Sequence, residues 1–307
     1  VTTESTDTKI MNPTRSSQEE IYNLIITDLQ EAAADLNTTP MDGNYARVTK
    51  KAALGLLARA YAQGAGEGLS ENGVSYWQRA KEVAEDLIAN MASYNAYLYD
   101  DVEDVWAQSN NRNNKEALFI ASGPQAGTDA FTYGSYGANK LFTFTFCDPN
   151  KLSDIYGQGT RDLRQTHWFK TSWGTSYLLK HNADLEYAKE KVRMITLAEM
   201  YYIAAEAHPA EAYDLLEEIL PSREIHSSLP VNAGRTEVLT EVLKEYRKEY
   251  IGDGQFFYAY KRLIEEEAAI HPLGINIPNE NKVLVWPLPQ DEIKYGDRES
   301  GIWKTEK

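Results

Sequence analysis

Trp106 is followed by Gln108, Asn110, Asn111, Arg112, Asn113 and Asn114, an indole beside a run of amides and one cation. That combination suits saccharide recognition. Sugars present C–H faces that stack on aromatic rings, and their hydroxyls need amide, carboxylate or guanidinium partners. Trp168 and Trp173 have a comparable setting, close to Arg161, Asp162, Arg164 and Gln165. The chain carries 20 Tyr and 6 Trp, more than a helical core needs, because buried Tyr and Trp require polar partners. Each Trp also has a plainer reading as a plug between helices. Helical register favours that reading for Trp77, and flanking prolines favour it for Trp286. For Trp106, Trp168 and Trp173 both readings stand.

Covalent chemistry has less support. Acidic pairs such as Asp100-Asp101, Glu103-Asp104 and Glu265-Glu266-Glu267 are expected in a chain with 46 Asp and Glu, and charge runs are usually solvated faces. The five His residues (167, 181, 208, 226 and 271) are scattered without metalloprotease spacing, and His208 and His271 each precede a proline, as in a structural turn. No nucleophile elbow and no phosphate-binding glycine loop occurs. Cys147, the single cysteine, leaves no internal disulfide framework and no Cys-based zinc site. The expectation is a protein that is not an enzyme, with no catalytic residues, no cofactor and no metal ligands. A net charge of −15 repels nucleic acid but admits a neutral ligand such as a sugar.

The elements that must hold these residues are mainly helical. At 307 residues, 42% of them hydrophobic, the chain has material for a sizeable core in one large domain or two ordinary ones. Residues 1–16 read as a polar arm without a secretory signal, which leaves a precursor open. No apolar run reaches the ~18 residues that span a bilayer. Ser17 reads as an N-cap, with Glu19 and Glu20 suited to the helix dipole. Apolar spacing then predicts helices over about 18–36, 48–63 and 74–91, with a Gly-rich loop (Gly64, Gly66, Gly68, Gly73) before the third. The pattern returns in Met194, Ala198, Tyr201, Tyr202 and Ala205. Pro209 breaks it, and Ala212, Leu215, Leu216 and Ile219 resume it. A last pair runs from Val238 to Tyr250 and from Phe256 to Leu263. Small residues facing small residues suggest stacked hairpins of tetratricopeptide type, at 17–91 and 191–265. Between them, 93–188 reads as a large loop-rich insertion with short strands at Glu116–Ile120 and Phe142–Phe146. Residues 271–299 read as an irregular strap.

Five segments in order then carry a resemblance. They are Arg15-Ser-Ser-Gln-Glu-Glu-Ile-Tyr22, Arg47-Val-Thr-Lys-Lys-Ala-Ala-Leu-Gly-Leu-Leu-Ala-Arg-Ala-Tyr61, and Asp148 to Tyr156 with Arg161-Asp-Leu-Arg164. The fourth and fifth are Leu197-Ala-Glu-Met-Tyr-Tyr-Ile-Ala-Ala-Glu-Ala207 and Glu245 to Arg262, with Val285-Trp-Pro-Leu-Pro-Gln-Asp-Glu-Ile293 beyond them. Together they resemble the SusD/RagB family of nutrient-binding outer-membrane lipoproteins of Bacteroides-type bacteria. In the fifth segment Asp253, Phe256 and Ala259 depart from the family pattern, which suggests aromatic packing in place of an internal ion pair. Family members are usually longer, with a lipidated Cys and further helices ahead of the first segment, so this chain looks truncated or is a short member.

The resemblance implies one SusD-like unit over 1–307, mostly α, with the insertion as binding face. It implies capture of a glycan or other small nutrient outside the cell and delivery to a SusC-like TonB-dependent transporter, with attachment to the outer membrane through a lipid anchor. Read beside the composition, it makes Trp106, Trp168 and Trp173 the stacking surfaces and Asn111 and Arg112 their polar partners. The alternative is a helical-repeat adaptor that binds a protein segment.

Overall fold

The computed structural model describes residues 16–44, 47–100, 114–122, 146–147, 149–159, 161–172, 175–178 and 191–266. The arm at 1–15, the Gly- and Tyr-rich stretch 123–138, Phe142–Thr145, the strap and the Trp286 segment lie outside those residues.

Helix α1 (Gln18–Asp35) begins at a capping box. The Ser17 hydroxyl accepts from the Glu20 N–H at 3.2 Å, and the Glu20 carboxylate accepts from the Ser17 N–H at 2.8 Å. Two helix-end donors are thereby satisfied. Ser17→Ala is expected to cost about 1 kcal/mol of stability in urea titration. An unchanged midpoint would mean that the box contributes nothing.

Helix α2 (Lys50–Gly66) runs past the predicted loop start, so Gly64 and Gly66 are helical. Packing explains both. A Cβ on Gly64 would lie 2.6 Å from the Tyr76 ring, and one on Gly66 would lie 2.7 Å from Arg262 Cβ. The chain turns only at Gly68, whose φ is +75°. A hairpin of β1 (Ser70–Glu71) and β2 (Val74–Ser75) then leads into α3 (Tyr76–Ala89).

Further along, β3 (Ala117–Ser122) pairs antiparallel with β7 (Lys191–Thr196), closing the insertion at its base. Met194 therefore belongs to a strand rather than to the following helix. Inside the insertion the chain also forms two short helices that periodicity did not predict, α4 (Pro149–Tyr156) and α5 (Leu163–Trp168). Pro149 suits a first helical position, and Asp162 caps the Arg164 N–H at 3.1 Å. A three-stranded sheet joins β4 (Phe146–Cys147), β6 (Thr175–Leu178) and β5 (Phe169–Ser172), in that order.

The scaffold closes around α6 (Leu197–Ala207), in which every residue but Ala207 is buried. Helix α3 packs on it, as do α7 (Ala212–Ile219) and α8 (Arg235–Glu249), while α9 (Gln255–Glu266) packs on α8 and α2. The result is mostly helical, with paired helices and few short strands, as the sequence implied. Among the described residues no helix is long and apolar enough to cross a membrane.

Buried charge ties the insertion to this scaffold. The Arg164 guanidinium, fully buried, grips Asp162 through two bonds of 2.9 and 2.8 Å, and donates to Glu245 at 2.7 Å and Glu249 at 3.0 Å. Arg223 joins Glu249 at 2.9 Å to Glu116 at 3.2 Å. Burial pushes the Glu116 carboxyl up, against the pull of Arg223. For Glu245 burial pushes the same way, but Arg164 and Lys248 outweigh it and hold the carboxyl down. The aromatic packing expected after Gly254 is present as a Phe256–Tyr260 contact at 6.0 Å. Beside it Arg262, which keeps the family pattern, holds Glu206 through bonds of 2.9 and 2.8 Å.

Candidate functional site

The segment carrying Trp106, Asn111 and Arg112 lies outside the described residues, but its two stems are described. They are tied together. The Tyr97 N–H donates to the Lys115 carbonyl at 3.2 Å, the Lys115 N–H donates to the Tyr99 hydroxyl at 3.2 Å, and the Tyr99 N–H donates to the Glu116 carboxylate at 3.3 Å. Asn114 shapes the second stem, its side-chain oxygen accepting from the N–H groups of Glu116 and Ala117 at 3.1 and 3.0 Å. Tyr97, 47% exposed, stands edge-on to Tyr99 with ring centres 5.4 Å apart.

Against these stems lies a pocket of about 40 Å³. Its wall includes Thr38, Arg47, Thr49, Lys51, Asn114 and Lys115, with the start of β3 opposite. Lys51 donates to the Asn95 carbonyl at 3.1 Å. Burial, reinforced by the charge of Lys115, pushes the Lys51 ammonium down to about 8. The space fits a few waters or one small polar group, and its lining sets hydrogen-bond donors and positive charge against an apolar side formed by Pro40 and the start of β3.

A larger cavity of about 450 Å³ lies among α1, α2 and α9. Ile21, Ile25, Leu56 and Tyr258 form its apolar walls, with Gln63 and Gln255 among its polar lining. It is the size of a ligand pocket or of a groove for a side-chain row.

For metal, the described residues bring one group together. His208 Nδ1 stands 3.2 Å from a Glu85 carboxylate oxygen and 3.4 Å from one of Glu211. These are hydrogen-bond distances, and the contacts clamp α3 to the turn before α7. The turn reading of His208-Pro209 agrees with this place.

Of the five residues expected to bind ligand, Trp106, Asn111, Arg112 and Trp173 lie outside the described residues. Trp168 is described and is 2% exposed. It sits at the end of α5 in a small cluster with Leu178, Leu163, Phe169 and Ile251. In this arrangement its faces meet protein, so stacking on a sugar would require that cluster to open. Asp162 and Arg164, grouped with it as polar partners, are instead consumed by the buried ion network. Trp77 packs on the core as its register implied, with the Arg235 guanidinium 5.4 Å from its ring centre. Sequence reasoning missed the Lys51 pocket, because its lining comes from four separated stretches. The run Arg47-Val-Thr-Lys-Lys51, cations at the start of a helix without a first-turn acid, is the signal that was present.

No protein-family model matches the chain, and no curated protein matches it. Solved structures do match. A SusD superfamily protein from Bacteroides thetaiotaomicron superposes with a TM-score of 0.74 over 96% of this chain and 70% of its own, at 17% identity. A laminarin-binding SusD-like protein gives 0.67 over 96% of this chain and 72% of its own, at 19% identity. A crystal structure with xylogluco-oligosaccharide gives 0.64 over 86% of this chain, at 18% identity. The chain spans 61% of the length of that last structure. The fold is therefore SusD-like.

Proposed function

From this SusD-like fold, we propose that the chain is a cell-surface nutrient-binding protein that captures a glycan at the outer membrane and hands it to a SusC-like TonB-dependent transporter. The observation that carries this reading is the fold match over nearly the whole chain, with neighbours that include a laminarin-binding protein and a structure with xylogluco-oligosaccharide. The stems that flank Trp106, Asn111 and Arg112 in sequence support it, because they lie beside a pocket lined by Arg47, Lys51, Asn114 and Lys115. Binding of this kind uses stacking and hydrogen bonds, and the reading includes no covalent step.

In the proposed site Trp106 and Trp173 provide stacking faces, with Asn111 and Arg112 beside them. Trp168 joins them only if its cluster opens. Trp106→Ala together with Trp173→Ala is expected to weaken glycan retention in affinity gels by roughly tenfold or more at unchanged melting temperature, each stack being worth about 0.5–1.5 kcal/mol beyond its buried area. Unchanged retention of a glycan that the parent protein binds would remove these residues from the site.

A second reading, a helical adaptor for a protein segment, has one feature in its favour. Ile21, Ile25 and Leu56 are each about two-fifths exposed along the groove among α1, α2 and α9. A glycan array distinguishes the two, since an adaptor retains no carbohydrate at all.

A further inference from the structure

In a chain with 46 acidic and 31 basic residues, the pocket beside Asn114 stands out because no carboxylate of the described residues lines it. Three cations do, namely Arg47, Lys51 and Lys115, and among the described residues none of them is ion-paired. Arg59 and Arg262, by contrast, are closely neutralised, by Glu199 at 2.6 Å and by Glu206 at 2.8 Å.

The backbone adds to this concentration of charge. Thr49 is the N-cap of α2, a helix of 17 residues, so the positive end of the helix dipole opens at the pocket, although the Lys50 N–H donates to the Asn37 carbonyl at 2.9 Å and the Ala52 and Ala53 N–H groups to the Thr49 carbonyl at 2.9 and 3.2 Å. Helix starts favour acids, yet this one has none in its first turn and begins with Lys50 and Lys51. The Thr49 side chain is buried to 5% exposure, lines the pocket and makes no capping bond. Clustered cations, the positive end of a helix and the Thr49 hydroxyl beside them suit an anion with several acceptor oxygens.

We propose that this pocket is an oxyanion site, occupied by a carboxylate or sulfate group of the captured saccharide, so that the protein takes uronic-acid-containing or sulfated glycans. The saccharide half of this statement rests on the glycan-binding reading above, whereas the oxyanion half stands on the pocket alone. The pocket has room for one such group, and the ring itself would lie outside, toward the stems at Tyr97 and Tyr99. The depressed Lys51 ammonium fits the same picture. It is charged at neutral pH, and an anion beside it would raise its titration point.

The test uses the full chain and four probes: sodium sulfate, an oligogalacturonate, a sulfated oligosaccharide and a neutral oligosaccharide of matched length. Calorimetry measures affinity, and NMR of side-chain-labelled lysine follows the Lys51 titration. We expect an acidic saccharide to bind more tightly than its neutral counterpart, and the Lys51 titration to move upward on binding. Lys51→Met and Lys115→Met should each weaken the acidic ligand about tenfold, as loss of a charge-assisted bond does, and leave a neutral ligand unchanged. Lys115→Gln serves as a second variant should Lys51→Met fold poorly. If sulfate moves Lys51 while no saccharide binds, the oxyanion site holds with a free anion as its ligand and the glycan reading fails. If the neutral saccharide binds as well as the acidic ones, and neither sulfate nor any saccharide moves Lys51, the oxyanion site is overturned and the glycan reading survives.

Discussion

Replacing Arg164 by methionine should lower the unfolding free energy by about 3–5 kcal/mol, as expected for breaking a buried ion pair from one side. The variant strips the shared cation from Asp162, Glu245 and Glu249, all three of them buried. Lys248 at 2.6 Å still serves Glu245, and Arg223 at 2.9 Å still serves Glu249, but Asp162 loses both of its guanidinium bonds. The effect has a pH signature. In the parent protein the folded Glu245 carboxyl is held below its usual value, so its stabilisation is complete at neutral pH and fades as pH falls through that lowered value. Without Arg164 the opposing effect of burial gains weight and the folded carboxyl titrates higher. The gap between parent and variant should therefore be widest near neutral pH and shrink in acid. Urea titrations at several pH values measure it, and a gap that ignores pH would assign the loss to packing alone. Arg79→Met is a suitable control, because that side chain is 31% exposed and its pairing with Glu82 belongs to the class worth at most about 1 kcal/mol.

Trp168→Ala should be nearly as costly, at about 3–5 kcal/mol, the usual range for removing a large aromatic from a packed site. The ring is the centre of the small cluster with Leu178, Phe169 and Ile251, and the last of these belongs to the turn between α8 and α9. Losing it should loosen the same junction that Arg164 clamps, so the two variants together should fall short of additivity. This substitution also separates the two roles considered for Trp168. A drop in melting temperature with glycan affinity retained in the folded protein identifies a packing residue. Normal melting with lost affinity would identify a stacking platform.

Much of the scaffold was legible in the residues themselves. The Ser17 N-cap, the apolar stripes of α1, α2, α3, α7 and α8, and the break at Pro209 are local signals, each read within a few turns of chain. Misreadings arose where a local signal has two structural causes. Gly64 and Gly66 looked like loop glycines but allow close approach of Tyr76 and Arg262, which only the packing of separate helices reveals. Met194 continued a helical spacing until the pairing of β7 with β3 claimed it. Glu245 and Glu249 read in the sequence only as part of a charged amphipathic helix, with no partner named. Their partner Arg164 lies 81 and 85 residues away, and no local pattern announces such a bond.

The candidate site divides in the same way. Residue types alone determined that this protein has the materials of a saccharide binder, with indoles beside amides, no catalytic motif and a helical frame in SusD-like order. Tertiary structure decided which of those groups are available. It withdrew Asp162 and Arg164 into a buried network, enclosed Trp168, and gathered Arg47, Lys51 and Lys115 around one pocket that no carboxylate of the described residues lines. The physical reason is that stacking and helix formation depend on what a side chain is, whereas exposure and the surrounding charge depend on what the fold brings beside it.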